Sequence, residues 1–267
     1  MLDATRPTTL RKTSALLALV LGLAIVGMVP QARATDDLSG YNTENCQVPP
    51  VAVMPLGIVI ALDPGHGGTD PGTKNTVDDD RNTLDIVESD DPNTLTVEST
   101  VTLFERNLNL DIADRTADLL AGQGYTVCLT RINNDKNPTN TQRAQFANSK
   151  GAKLFVLIHL NGSSNDATNY TQTFWGKKIK DLKFSDHMYN KALLPSLGID
   201  GNGVGQFASG ALLKSNMPAT LTESVFLTND VEAGRLVDSR PFQDDGTTPT
   251  RRQQIAQALA AGISTYP

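Results

Sequence analysis

The chain has 267 residues, 39 % apolar and 19 % charged, with a formal net charge of −6 at pH 7. That length supplies ample core for one domain of ordinary size. The acidic balance argues against a protein that holds nucleic acid by neutralising phosphates.

The amino terminus reads as a targeting segment. Arg6, Arg11 and Lys12 precede an apolar run from Ala15 to Val29, and Ala32-Arg33-Ala34 fits a small-residue cleavage site. The run is shorter than the ~20 residues a membrane span needs, so a cleaved signal peptide over residues 1–34 is expected rather than an anchor. Cleavage removes four of the 23 bases and one of the 29 acids, which takes the charge to −9. No later stretch is apolar enough to span a bilayer. The expected location is therefore the periplasm, cell envelope or exterior. In an oxidising compartment the two cysteines, Cys46 and Cys128, are expected to form a bridge, with two unpaired thiols as the alternative.

Residues 35–56 read as a polar, proline-bearing extension packed on the surface of a domain over 57–267. Gly57–Leu62 is the first predicted strand, and it runs into a glycine turn holding His66. Residues 74–103 show no clean period. They carry eight acids, Glu88 and Glu98 among them, against Lys74 and Arg81, and are expected to be a solvated insertion or a flap beside a site. Phe104–Ala121 is an amphipathic helix, with Phe104, Leu108, Ile112 and Leu119 at helical spacing. Tyr125–Thr130 is a strand, Thr141–Lys150 a short helix, and Ala152–Ile158 a continuous apolar strand. Thr171–Trp175 reads as an edge strand, and Ser185–Leu194 as a helix stopped by Pro195. A glycine-rich loop follows. Ala211–Lys214 and Thr220–Val225 are predicted strands, Asn229 caps a helix through Leu236, and Thr248-Pro249 opens a last helix with Ile255, Leu259 and Ile263 inward. Strands alternating with helices imply a single α/β domain, its mostly parallel sheet covered on both faces.

Four residues carry the chemistry. His66 and His159 both follow buried strands, where open α/β sheets keep their sites. Two neutral imidazoles and one carboxylate form a catalytic zinc set, which makes His66, His159 and Glu105 candidate ligands. Glu105 has a rival role, because Thr102-Leu-Phe-Glu105 fits a capping box. Glu223 lies among apolar strand residues, where an ionised carboxylate is costly without a partner. The third histidine, His187, reads as a surface residue.

These residues sit in a resemblance. Leu62-Asp-Pro-Gly-His-Gly-Gly-Thr-Asp-Pro-Gly72, Glu105-Arg-Asn-Leu-Asn-Leu110, Arg143-Ala-Gln-Phe-Ala-Asn148 with Leu154-Phe-Val-Leu-Ile-His-Leu-Asn-Gly162, and Pro218-Ala-Thr-Leu-Thr-Glu-Ser-Val-Phe-Leu-Thr-Asn229 come in one order. Together they resemble the motifs of the zinc-dependent N-acetylmuramoyl-L-alanine amidases of the bacterial cell wall, amidase family 3. The resemblance implies a twisted sheet of about six strands flanked by helices. It also implies Zn2+ held by His66, Glu105 and His159, with Glu223 as general base and then general acid. The implied reaction is hydrolysis of the amide between N-acetylmuramic acid and L-alanine of the stem peptide. The expected partners are peptidoglycan stem peptides and glycan strands, with no nucleic acid, no membrane span after signal cleavage, and a monomeric chain.

The sequence departs from the family pattern in three places. The connection from His66 to Glu105 is longer than usual, which raises the expectation that the acidic segment partly covers the cleft, with Glu88 or Glu98 as occluding ligands. No long insertion of the self-inhibiting kind follows His159. Thr222 and Ser224, beside Glu223, are more polar than the family's neighbours. Two other readings stay open: a wall-binding protein without turnover, and a zinc peptidase or amidase acting on other wall peptides.

Overall fold

The structure is a computed structural model that describes residues 42, 44–78, 100–237 and 250–267. The signal segment, most of the acidic insertion with Glu88 and Glu98, and Thr248-Pro249 lie outside the described residues.

The elements in chain order are β1 (Cys46–Gln47), β2 (Val59–Pro64), β3 (Lys74–Asp78), β4 (Thr100–Phe104), α1 (Glu105–Ala121), β5 (Thr126–Leu129), α2 (Asn140–Ser149), β6 (Leu154–Asn161), β7 (Thr171–Trp175), α3 (Lys178–His187), a π-helical stretch (Met188–Leu193), α4 (Leu194–Leu197), β8 (Gly201–Gln206), α5 (Gly210–Lys214), β9 (Ala219–Phe226), α6 (Asp230–Val237) and α7 (Arg251–Ser264). Seven strands form one sheet in the order β1-β5-β2-β6-β9-β7-β8. The four central strands are parallel, while β1 runs antiparallel to β5 and β7 antiparallel to β9. Alternation assigns the two faces. Ile60, Leu62, Val156 and Ile158 join the core under α1, α3 and α7, with Leu108, Ile112, Phe184 and Leu259. Ala61, Phe155, Leu157 and Leu221 join the smaller core under α2 and α5, with Ala147 and Leu212.

The expected α/β class and two-sided covering hold, and several element readings are corrected. The sheet has seven strands, because Cys46–Gln47 in the extension and the glycine-rich stretch each add one that the sequence did not mark, while Ala211–Lys214 drops out. The glycine-rich one, β8, is the edge, so Thr171–Trp175 is interior. Ala211–Lys214 is helical, because the Ser209 side chain accepts from Ala211 N–H and caps the turn. Pro195 does not stop the helix before it. In the π-helical stretch Leu194 N–H reaches Tyr189 C=O, and the chain stays helical past Pro195 to Leu197, where Gly198 ends it. The flanks of the acidic segment are not irregular: β3 and β4 pair antiparallel from Lys74↔Phe104 to Asp78↔Thr100, making a ribbon that leads directly into α1.

Cys46 and Cys128 are bridged, as expected, directly opposite each other on β1 and β5. Gln47 Nε2 also donates to Asp118 Oδ1 at 2.6 Å, so the extension is tied to α1 as well as to the sheet. The bridge closes a sequence separation of 82 residues. Its removal in a Cys46→Ser/Cys128→Ser double variant is expected to lower unfolding free energy by about 2–4 kcal/mol. Coincident urea curves for the oxidised wild type and the variant would refute that.

Candidate metal centre and its cleft

The site is built where β2 ends. His66 adopts φ +61°, a left-handed conformation that a non-glycine residue holds only when its surroundings over-determine it. Two buried arginines supply that constraint. Arg131 donates to Pro64 O (2.9 Å), Gly65 O (2.8 Å) and, across the turn, Arg106 O (2.7 Å). Arg143 donates to Pro64 O (3.0 Å) and His66 O (2.9 Å), and pairs with the buried Asp63 carboxylate, which also accepts from Thr130 Oγ1. Three successive carbonyls are thus held by guanidinium groups whose rigid fork suits such fixed geometry. Gly65 is required because a Cβ there would meet the His159 ring at 2.2 Å. At Gly72 (φ +67°) a Cβ would meet Glu105 Oε2 at 2.5 Å.

Glu105 is the first residue of α1 and is buried. The capping box is not formed. Phe104 makes no side-chain cap, and Thr102 Oγ1 pairs instead with Thr76 Oγ1 across the ribbon at 3.0 Å. The turn satisfies the helix start, with Glu105 N–H donating to Thr73 O and Arg106 N–H to Pro71 O. The carboxylate is freed to face the imidazoles. Oε2 accepts from Thr73 N–H at 2.8 Å and lies 3.1 Å from His66 Nε2. Oε1 accepts from Leu160 N–H (3.1 Å) and Asn109 Nδ2 (3.2 Å) and lies 3.1 Å from His159 Nδ1. Burial pushes the Glu105 carboxyl up, but hydrogen bonds and charge from His159 and His66 outweigh it and hold it well below the usual range. His66 moves the other way. Burial lowers it, while Glu105 and then Asp70 raise it to about 9.

Asp70 was not singled out in the sequence. Its Oδ2 lies 2.9 Å from His66 Nδ1 and takes Asn137 Nδ2 at 3.2 Å, while Oδ1 accepts from Gly72 N–H. An Nδ1–H donating to Asp70 leaves the Nε2 lone pair directed at Glu105. A lone pair and a carboxylate 3.1 Å apart need a cation or proton between them. The three donors all lie within 4.8 Å of one another. Tetrahedral zinc, with donors at ~2.0–2.1 Å, sets them about 3.3 Å apart, so the residues fit the metal.

Glu223 lies in register with His159 on the neighbouring strand, both side chains on the α2/α5 face. The pairing slips just beyond this point, between His159 and Asn161, an irregularity common beside sites. Among the described residues Glu223 Oε2 has no hydrogen-bond partner although it is buried. Burial raises its carboxyl to about 7; His159 opposes the shift and Glu105 adds to it. Thr222 turns to the other face and donates to Leu157 O. His187 is remote from these residues, bonded to Thr265 and packed on Tyr266. Beside the cluster opens a cleft of about 370 Å³, which runs from His66 and His159 over Leu157 and Leu221 to Phe207.

A family model described as N-acetylmuramoyl-L-alanine amidase matches residues 60–265. The chain is 28 % identical over 214 residues to N-acetylmuramoyl-L-alanine amidase LytC of Bacillus subtilis (strain 168), covering 79 % of this chain and 36 % of LytC. It therefore spans little more than a third of that relative. It is 26 % identical over 291 residues to N-acetylmuramoyl-L-alanine amidase AmiA of Escherichia coli (strain K12), covering 91 % of this chain and 87 % of AmiA. Among solved structures, the catalytic domain of CwlV, N-acetylmuramoyl-L-alanine amidase from Bacillus (Paenibacillus) polymyxa var. colistinus, superposes with a TM-score of 0.59 at 27 % identity, covering 78 % of this chain and 97 % of that one.

Proposed function

Because this chain belongs to the N-acetylmuramoyl-L-alanine amidase family, we propose that it hydrolyses the amide between the lactyl group of N-acetylmuramic acid and L-alanine of the peptidoglycan stem peptide. His66, Glu105 and His159 hold zinc. Bound there, zinc would supply Lewis acidity, lowering the pKa of water to roughly 7 and polarising a carbonyl. Glu223 takes the proton of the attacking water and returns it to the leaving nitrogen of L-alanine. A carboxyl raised to about 7 suits both halves of that exchange at neutral pH. Asp70 holds His66 in one tautomer, and Thr73, Asn109 and Leu160 fix the Glu105 carboxylate from the protein side.

One observation carries this reading. Two imidazoles and a carboxylate from three separate segments converge, beside a half-buried fourth acid, Glu223, whose buried Oε2 has no hydrogen-bond partner among the described residues. A binding protein without turnover has no use for that costly group. Action outside the cytoplasmic membrane is part of the proposal, supported by the amino-terminal signal pattern and the Cys46–Cys128 bridge. Among the described residues no helix is long and apolar enough to cross a membrane. The test is metal analysis of the purified protein together with mass spectrometry of products from isolated wall. Free stem peptides beginning with L-alanine are expected, and fragments cut within the stem peptide would overturn the assignment.

A further inference from the structure

The cleft beside the metal cluster has an arm whose shape follows from the sheet register. His159, Glu223 and Gln172 are paired across β6, β9 and β7. Two residues back along β6 and β9, on the same face, Asp63, Leu157, Leu221 and Phe174 form a parallel row across β2, β6, β9 and β7. The row with Glu223 carries the proton-transfer group; the row with Leu157 and Leu221 is an apolar floor beside it. Phe207 stands over the far end of that floor. Its backbone N–H is fixed to Trp175 O at 2.9 Å and its ring lies 5.9 Å from that of Phe174, yet the residue stays 51 % exposed. The arm closes where α2 and α5 begin, since a Cβ on Gly210 would come within 3.2 Å of Asn140 Cβ. Thr139, Asn140 and Ser209 form a neutral polar rim.

The charge of this arm narrows what it can hold. Among the described residues its only lining cation outside the two histidines is Arg143. All five N–H donors of that guanidinium are engaged: Nε with Pro138 O, Nη1 with Asp63 and Pro64 O, Nη2 with His66 O and Asn137 Oδ1. None is left for a ligand carboxylate. The two halves of a muramyl peptide differ in this respect. The stem peptide carries free carboxylates, whereas the sugar is neutral, its lactyl carboxyl being taken up in the amide. An apolar floor, an exposed aromatic face and neutral hydrogen-bonding side chains match the C–H face, hydroxyls and acetamide of a sugar.

We infer that this arm is a saccharide subsite: Phe207 stacks on an N-acetylhexosamine ring of the glycan strand and holds the muramyl side of the scissile amide against Glu223. The choice of sugar rests on the amidase reading. Phe207→Ala tests it, with Phe207→Tyr as the conservative partner, since an exposed residue can change without loss of the core. A peptide-free N-acetylglucosamine tetramer is titrated against the full chain, read by the fluorescence of the single tryptophan, Trp175. Binding is expected to weaken about tenfold in Phe207→Ala and to be kept in Phe207→Tyr. KM for a muramyl dipeptide is expected to rise about tenfold in Phe207→Ala with kcat nearly constant, while a lactyl dipeptide lacking the sugar ring is unaffected. The inference is overturned if the wild type does not bind the tetramer, if Phe207→Ala binds it equally well, or if the sugarless substrate loses as much as the muramyl one. Tetramer binding that depends on Phe207, without release of stem peptide from wall, would instead keep the sugar arm and refute the amidase reading.

Discussion

Replacing Glu223 with glutamine is expected to lower kcat on muramyl peptide by about 10²–10⁴-fold while metal content and KM stay near wild-type values. The substitution preserves shape and removes only the ability to take and return a proton. Glu223 donates nothing to the metal cluster, and its Oε2 has no hydrogen-bond partner among the described residues, so the fold loses no contact there. Relief of a buried acid is expected to leave stability unchanged or slightly higher. The pH profile supplies an independent check. Burial raises the Glu223 carboxyl to about 7, and only the ionised form can accept the first proton. Activity should therefore fall on the acid side, with an apparent pKa at or below about 7, because a nearby cation favours the ionised form. In Glu223→Gln that acid limb should vanish from the residual rate. A variant with wild-type kcat, or one that keeps the acid limb, would show that another group moves the proton.

The site was legible in the sequence to the extent that chemistry depends on residue type. His66 and His159 each follow or end a strand with a continuous apolar run, Glu223 sits in a strand that mixes Leu221 and Val225 with threonines and a serine, and the three strands prove to be neighbours in the sheet. Glu105 was ambiguous, because Thr102-Leu-Phe-Glu105 satisfies the spacing of a cap as well as it satisfies a ligand. The deciding fact is non-local: Thr102 is already paired with Thr76 on a strand 26 residues away. Asp70 and Arg131 escaped for a similar reason. Neither is set apart by residue type, and only the folded turn brings Asp70 to His66 and Arg131 to the carbonyls of Pro64, Gly65 and Arg106. The available signal was an arginine placed two residues after the buried strand Thr126–Leu129, where a charge needs a partner. The fold errors share a cause. Gly201–Gln206 has three glycines and a single β-branched residue, Val204, but sits at an edge, where only one neighbour must accept it. Pro195 breaks the α-helical pattern, and the chain avoids the break with wider turns.

Glu105→Gln is expected to abolish stoichiometric zinc binding and reduce hydrolysis to background. The loss should exceed the 10–100-fold in affinity that outer-shell substitutions typically cause. Glutamine has the same size as glutamate but one acceptor oxygen instead of two. Each oxygen of Glu105 receives a backbone N–H, from Thr73 on one side and Leu160 on the other. Whichever way the amide turns, its NH₂ group confronts one of those donors, and a buried N–H is left unsatisfied at a cost of about 1–3 kcal/mol. The chelator-treated proteins offer a test that needs no turnover. In the metal-free wild type the native pKa of His66, about 9, lies above the 6.5 of the unfolded chain. The stabilisation it brings is therefore complete below pH 6.5 and disappears as pH climbs through 9. Glu105, held low, acts oppositely, adding stability above 4.5 that is lost as pH falls. Among the described residues, removing the carboxylate leaves Asp70 as the only acid hydrogen-bonded to His66, so the fall in stability between pH 6.5 and 9 should shrink in Glu105→Gln. Urea midpoints at pH 6 and pH 9.5 for both proteins measure it. Equal pH dependence in the two, or a variant that still carries one zinc per chain, would mean that Glu105 is neither the ligand nor the partner of His66.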